Sequence, residues 1–446
     1  MKRKVFGIIS AAVLLTFPML VGAQETEQRD TVGDGKVNRL DIDIQLVGQG
    51  EIRDGGLTSN SDGTQTDDRA NFIVGRTRMT IDFQRNSLEI KVVPQHTAIW
   101  GQKNDGDFNI YEAWAKYTLP VGLFAQIGRQ ALSYDDERII GSDDWAMGAV
   151  SHDVVKLGYE GHGHKAHLLL AYNQNPENVA GGTYYVDGGQ PYKTMQTLWY
   201  HYDLPKTHLG LSLLFMNIGT QGGQSGGDKR TQYQRMTGTH LTYQPKWGDF
   251  SASYYRLTGK EEHGARLDAW MAAVKGTVIP SEIYNFTAGF DYLSGDKRFA
   301  VPREGMAGLT YHKKMQGFTE LYGSHHKFYG MMEFFYIDTY VNGFSPGLQN
   351  AYIGTDVTPI KKLTVSAFYH YMATATKLKG IKKTLGHYLD LSACYKPKDN
   401  IQLTAGFSLM TGTETMRRLK RASSDNTLRW AWVCLTIDPR ILSLRW

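Results

Sequence analysis

The chain has 446 residues, 49 Lys and Arg against 44 Asp and Glu, and a formal net charge of +5, too nearly balanced for the strong global field of a nucleic-acid binder. Two cysteines, Cys394 and Cys434, exclude a disulfide scaffold; they read as small residues within strands, with a single bridge between them possible. The length suggests two or three soluble domains, yet no Pro-rich or Ser-rich linker divides the chain and no apolar run after residue 23 is long enough for a transmembrane helix.

In chain order, the first element is a leader. Lys2, Arg3 and Lys4 precede an apolar run over residues 5–20, which Pro18 breaks, and the small residues Val21, Gly22 and Ala23 follow before Gln24. That order predicts a signal peptide over residues 1–23 and therefore export. No Cys follows the cleavage site, so no lipid anchor is expected. Losing the leader removes three basic and no acidic residues, which leaves 46 against 44 and a net charge of +2. Residues 24–36 are too few for a plug and read as a short periplasmic lead-in, with residues 37–446 as the body.

The body alternates with period two. Leu40, Ile42, Ile44 and Leu46 fall on one face, and Asp41, Asp43 and Gln45 on the other. Met79, Ile81 and Phe83 oppose Arg76, Arg78, Thr80 and Asp82; Leu88, Ile90 and Val92 oppose Glu89 and Lys91; Tyr111, Ala113, Ala115 and Tyr117 oppose Glu112 and Lys116. The pattern returns in Ala166, Leu168, Leu170 and Tyr172 against Lys165 and His167. It returns again in Tyr200, Tyr202 and Leu204 against His201 and Asp203, and in Ile401, Leu403, Ala405, Phe407 and Leu409 against Gln402, Thr404 and Ser408.

Alternation alone also fits a soluble sandwich. Three observations favour a membrane barrel. About 16 to 18 such segments run through the chain, joined by tight turns at 118–122, 359–362 and 397–400. Long polar connections at 48–69, 173–194 and 219–234 alternate with those turns. Aromatic residues make up 12% of the chain and cluster near strand ends, as in Trp199 and Tyr200, Tyr254 and Tyr255, Phe334 to Tyr336, and Trp430 with Trp432, where interfacial girdles are expected. A lipid-facing strand cannot leave its backbone groups unpaired, so the sheet must close. The expected fold is all-β: a transmembrane antiparallel β-barrel of about 18 strands in the cell outer membrane, with membrane lipid and the barrel assembly machinery as partners.

Basic residues on the polar faces carry the functional signal: Arg76, Arg78, Lys91, Lys116, Arg129, Arg138, Lys156 and Arg256. Asp82, Glu89, Glu112, Asp135, Asp136 and Asp153 are the acids that would brace them as a ladder of ion pairs. Arginines left free at a constriction would favour anionic solutes. The plainer reading is that these charges only solvate and brace the interior. His162 with His164, and His325 with His326, are too few to make a metal site, and no nucleophile-elbow pattern accompanies the fourteen histidines. Neither an enzyme nor a cofactor is expected. A gated or plugged surface-binding barrel, or an outer-membrane hydrolase, remain as alternatives.

The stretch Gly128, Arg129, Gln130, Ala131, Leu132, Ser133, Tyr134, Asp135, Asp136, Glu137, Arg138, Ile139, Ile140, Gly141, followed by Trp145 and by Ser151, His152 and Asp153, resembles the alginate export porin family. A second block, Phe318 to Gly323 with His326, Lys327, Phe328, Tyr329 and Gly330, is similar to a later segment of that family. The resemblance implies a monomeric barrel of about 18 strands with a constricted, electropositive lumen, passing anionic small molecules or an acidic polysaccharide. It implies pathway roles for Arg129, Arg138 and Asp153, with acidic neighbours holding the arginines. One departure is visible: the expected last strand, residues 429–437, is followed by an extra stretch ending in Arg445 and Trp446.

Overall fold

The computed structural model describes residues 38–55, 58–59, 65–66, 69–103, 106–174, 191–221, 230–261, 264–296, 314–335, 345–420 and 427–446. The expected leader (1–23) and lead-in (24–36) lie outside the described residues, as does much of the three long polar connections.

Eighteen antiparallel strands close into one barrel, at the upper end of the expected count. In chain order they are β1 (Asn38–Asp54), β2 (Ala70–Arg85), β3 (Leu88–Ile99), β4 (Asp107–Thr118), β5 (Leu123–Gln130), β6 (His152–Gly161), β7 (His164–Tyr172), β8 (Thr194–Leu204) and β9 (Leu209–Gln221). The second half comprises β10 (Thr231–Tyr243), β11 (Gly248–Lys260), β12 (Arg266–Val278), β13 (Tyr284–Leu293), β14 (Leu348–Ile360), β15 (Leu363–Ala373), β16 (Thr384–Lys398), β17 (Ile401–Gly412) and β18 (Thr427–Ile437, continued by Arg440–Arg445). Each strand pairs with its chain neighbours, and β1 shuts the ring by pairing with β2 on one edge and β18 on the other. No strand of the ring is left with an open edge, as the hydrocarbon requires.

The stretch after residue 437 is the second half of β18. After a break at Asp438 and Pro439, where the proline lacks a donor for the ladder, Leu442 and Leu444 resume pairing with Ile42 and Leu40. Asn38 N–H donates to the Trp446 carbonyl at 2.7 Å, and Trp446 N–H donates back to Asn38 at 3.1 Å. Trp446, just past the last residue of the strand, lies against Phe83.

Turns of two to five residues join the strands at the end that carries Asn38 and Trp446; the long connections lie at the other end. The alternation seen in the sequence sets which face is wet. Leu46, Leu213, Phe215, Val274, Phe286, Ile353 and Val433 stand exposed on the outer wall, while Gln49, Gln95, Ser212, Thr287, Asn350 and Ser408 are buried on the inner one. Cys394 and Cys434 face inward on β16 and β18 and are not bonded to each other.

Two expectations change. Tyr111 does not oppose Glu112: Val93 pairs with Glu112 and Pro94 with Ile110, so Tyr111 is the extra residue of a β-bulge. It turns inward beneath Arg78, whose guanidinium carbon is 3.9 Å from the ring centroid. The aromatics of the expected girdles divide. Trp270, Tyr172, Tyr117, Tyr284 and Trp247 stand outside towards the strand ends and Tyr254 outside at mid-strand, but Trp199, Tyr255, Phe334, Phe335, Trp430 and Trp432 are buried in the interior. Large rings fill much of the lumen as well as ringing the wall.

Candidate functional site

Two connections turn inward from the loop end. Residues 131–151, between β5 and β6, and residues 316–335, within the connection from β13 to β14, meet inside the barrel, where Ile140 and Tyr322 form a parallel bridge. Gly141 N–H donates to the Tyr322 carbonyl at 2.8 Å, and Tyr322 N–H donates to Ile139 at 3.1 Å. Glycine is needed where the two touch: a Cβ on Gly141 would stand 2.2 Å from Ser324 Oγ, and one on Gly323 2.3 Å from the Arg138 carbonyl oxygen. Several non-glycine residues of both segments, among them Asp135, Glu137, Asp143, Tyr329 and Glu333, hold positive φ. Each such residue costs on the order of 1 kcal/mol or more, so the surrounding contacts must over-determine the path.

Those contacts are of two kinds. Leu132, Ile140, Phe318 and Phe335 sink into an apolar core shared with the inward-facing Met195, Met216, Met271 and Met410. Burial of each large apolar side chain stabilises by roughly 1.5–3 kcal/mol. On the opposite side Trp145 packs against Trp432 with ring centroids 5.1 Å apart and stacks on His326 at 4.4 Å. The rest is polar. Glu137 accepts from Ser324 Oγ and from Lys327 Nζ, each at 2.7 Å, and Asp135 accepts from Trp199 Nε1 at 3.0 Å.

The sequence-selected residues take up distinct places around these segments. Arg76 and Arg78 point inward from β2 and are buried. Arg76 donates to the Asp144 carbonyl oxygen at 2.9 Å and to Gln45 Oε1 at 2.9 Å, and Arg78 bonds the Asp144 carboxylate and Gln95. Both arginines thus moor the first segment to the wall. Arg138 lies on that segment, buried between Tyr329 OH (2.8 Å), Asp291 (3.2 Å) and Asp136 (3.3 Å), and stacked over Phe328 at 4.0 Å. Burial opposes its charge, but Tyr329, Asp291 and Asp136 outweigh that and hold it protonated well above the usual range. Lys91, Glu112, Lys116 and Lys156 face inward from β3, β4 and β6. Glu112 accepts from Trp114 Nε1 at 2.9 Å.

Arg129 and Asp153 are not in the lumen. They pair across β5 and β6 at 2.8 Å, on the outward parity of the exposed Ile127 and Leu157, whereas Gln130 and His152 beside them are fully buried inside. Arg256 likewise faces outward, paired with Asp268 at 3.1 Å. Near the loop end the outer wall leaves the hydrocarbon, so a polar residue there need not face inward. Sequence reasoning missed Asp144, Asp291, Trp145's ring partners and the seam of Glu137, Ser324 and Lys327. The available signal was the loss of period two over 131–151. Among the described residues no group of three His, Cys, Asp or Glu is placed to hold a metal ion.

Towards the turn end, beneath the two segments, lies a cavity of about 400 Å³. Ser251, Ser253, Thr277 and Ser392 line its wall, and Arg138 and Phe328 its roof. Within the seam, burial together with Glu333, Glu137 and Asp144 lifts the Asp143 carboxyl to about 7, with Lys327 opposing. Burial also lifts Glu320 to about 7. Both values lie above the ordinary carboxyl range near ~4. The neutral forms therefore favour the inward packing, a contribution whole below about pH 4 and lost as pH rises through about 7. Bilayer recordings are expected to show more frequent conductance steps at about pH 8 than at about pH 5.5. The Asp143→Asn, Glu320→Gln variant should remove most of the difference; equal step frequencies in the wild type would contradict this role.

The sequence model of the alginate export family matches residues 23–429, a span that holds β1 to β17 and both inward segments. No curated protein matches the chain. Among solved structures, Pseudomonas aeruginosa OpdL is 11% identical, with 90% of this chain and 99% of that one covered and a TM-score of 0.60. OpdO from the same organism is 11% identical, with 90% and 98% covered and a TM-score of 0.59. OccK11 (OpdR) is 10% identical, with 91% and 96% covered and a TM-score of 0.58. At such identities the likeness concerns the fold alone, and that fold is the same closed barrel. The chain belongs to the alginate export family and is a porin-like channel of the cell outer membrane.

Proposed function

We propose that this barrel, acting as a monomer, lets small anionic solutes diffuse across the outer membrane, with an acidic polysaccharide as the extended form of the same cargo. The observation that carries the reading is on the inner wall. Lys91, Lys116 and Lys156 make no ion pair among the described residues and instead lean on aromatic rings. Lys91 Nζ is 5.5 Å from the Trp114 centroid, and Lys116 and Lys156 are 4.7 and 5.9 Å from that of Phe124. A ring orients an ammonium through its quadrupole without neutralising it, so the charge stays available to a passing carboxylate. The inward arginines differ, because Asp144, Asp136 and Asp291 already engage them. Of the bases first named for selectivity, this reading keeps Lys91, Lys116 and Lys156 and gives up Arg76, Arg78 and Arg138.

Asp82, Glu89, Glu112 and Glu160 lie near these lysines, Asp82 across from Lys91 and Glu89 across from Lys116, so the attraction is local to the lysines and does not fill the barrel. The family description names alginate, whose uronate carboxylates suit the same wall. The two inward segments also favour a gated form of this channel, since any route past them depends on how they pack. Liposome swelling with a monomeric uronate and a neutral hexose of equal size tests the reading. The uronate is expected to enter several-fold faster, and the Lys116→Gln, Lys156→Gln variant to bring it down to the hexose rate. Equal entry of the two solutes through the wild type would overturn the anionic assignment.

A further inference from the structure

Outside the barrel, where β10, β11 and β12 approach the loop end, the wall breaks its apolar rule. Arg235, Arg256 and Arg266 lie on the outward parity of those three strands. Lys314 joins them from a short segment that pairs with Arg266 and Leu267. Among the described residues the acid paired with these bases is Asp268, which takes Arg256 at 3.1 Å and Lys314 at 2.8 Å. Arg235 and Arg266 make no ion pair among the described residues. Other outward arginines of this rim have a carboxylate of their own, Arg129 with Asp153 at 2.8 Å and Arg429 with Asp54 at 3.5 Å.

Aromatic rings lie directly below the excess charge. Tyr254 stacks on Trp270 with centroids 6.1 Å apart, and Trp270 on Tyr292 at 4.7 Å. Two adjoining hollows open on this surface, of about 690 and 360 Å³, and both are walled by Arg256 and Asp268. The larger extends over Trp270 and Tyr292 to the exposed Lys377. Further down the same wall, Val274 and Phe290 are exposed to the hydrocarbon.

We propose that this surface is a docking site for a phosphorylated glycolipid of the outer leaflet. The level is right, because stacked aromatics mark the membrane–water interface and bases just beyond them sit among headgroups. The charge is complementary, since guanidinium pairs bidentately with phosphate and an unmatched cation at this depth is costly without an anion. The shape follows the ligand: phosphates on Arg235, Arg256, Arg266 and Lys314, a sugar ring over Trp270, and acyl chains along Val274 and Phe290. The site is independent of what passes through the lumen.

The test uses detergent-solubilised full-length protein and native mass spectrometry, with lipid A and its dephosphorylated form as probes. The wild type is expected to hold the phosphorylated lipid at least about tenfold more tightly than the dephosphorylated one. Arg256→Gln with Arg266→Gln should erase that preference, while Arg129→Gln, on a remote part of the wall, should keep it. The wild-type comparison needs no variant to fold. Equal retention of the two lipids by the wild type, or a preference surviving in the double variant, would overturn the site.

Discussion

Replacing Arg138 by alanine is expected to destabilise the barrel interior by about 3–5 kcal/mol and to raise both the conductance and its noise. The guanidinium is almost wholly buried and joins Asp136 of its own segment, Asp291 of β13 and the Tyr329 hydroxyl of the second segment. Its removal leaves two carboxylates facing one another in a place built to hold a cation. It also strips the stacking partner from Phe328. The two inward segments then lose a main cross-connection, and their positive-φ residues can relax away from the lumen centre. Adding Asp136→Asn and Asp291→Asn should recover much of the stability, because it removes the bare charges, but should leave the conductance raised. A thermal unfolding midpoint and a conductance both unchanged in Arg138→Ala would contradict the account of the seam.

Exchanging Lys116 and Lys156 for glutamate is expected to reverse the proposed anion preference into a preference for cations. The two ammonium groups lie within 6 Å of the same Phe124 ring, well inside the distance over which salt at ~0.15 M screens charge, about 8 Å. A unit charge at about 5 Å contributes roughly 1–3 kcal/mol in a partly solvated site. Reversing two of them shifts the relative cost of an anion and a cation by enough to change the preference more than tenfold. Glu89 and Glu112 would then act with the new carboxylates. Lys116→Gln with Lys156→Gln should fall between the wild type and the reversed variant.

Much of the barrel was legible because its two environments alternate at the same period as the strand. Leu40 to Leu46 announced an outward face, and Leu40 and Ile42 find apolar partners on both sides, Phe83 and Ile81 on β2 and Leu444 and Leu442 on β18. The limits were physical. Arg129 reads as a wet-face residue, but near the loop end both faces are wet, so polarity ceases to tell inside from outside. Trp430 and Trp432 read as part of an interfacial girdle, yet they are buried inside, where Trp145 comes from far along the chain to pack on them. Arg138 was marked by the family-like block, yet its partner Asp291 lies on a strand 153 positions away. That partnership follows from two segments folding inward together, and local pattern does not encode it. The lysines survived as candidates because the alternation holds around them on β3, β4 and β6, the bulge at Tyr111 falling nearer the loop end.

The reversal potential of single channels under a tenfold potassium chloride gradient tests the central claim most directly, with the wild type and the Lys116→Glu, Lys156→Glu variant in the same bilayers. The account predicts a potential of the sign set by chloride for the wild type and of the opposite sign for the variant. A wild-type potential set by potassium, or one that the two substitutions leave in place, would contradict it.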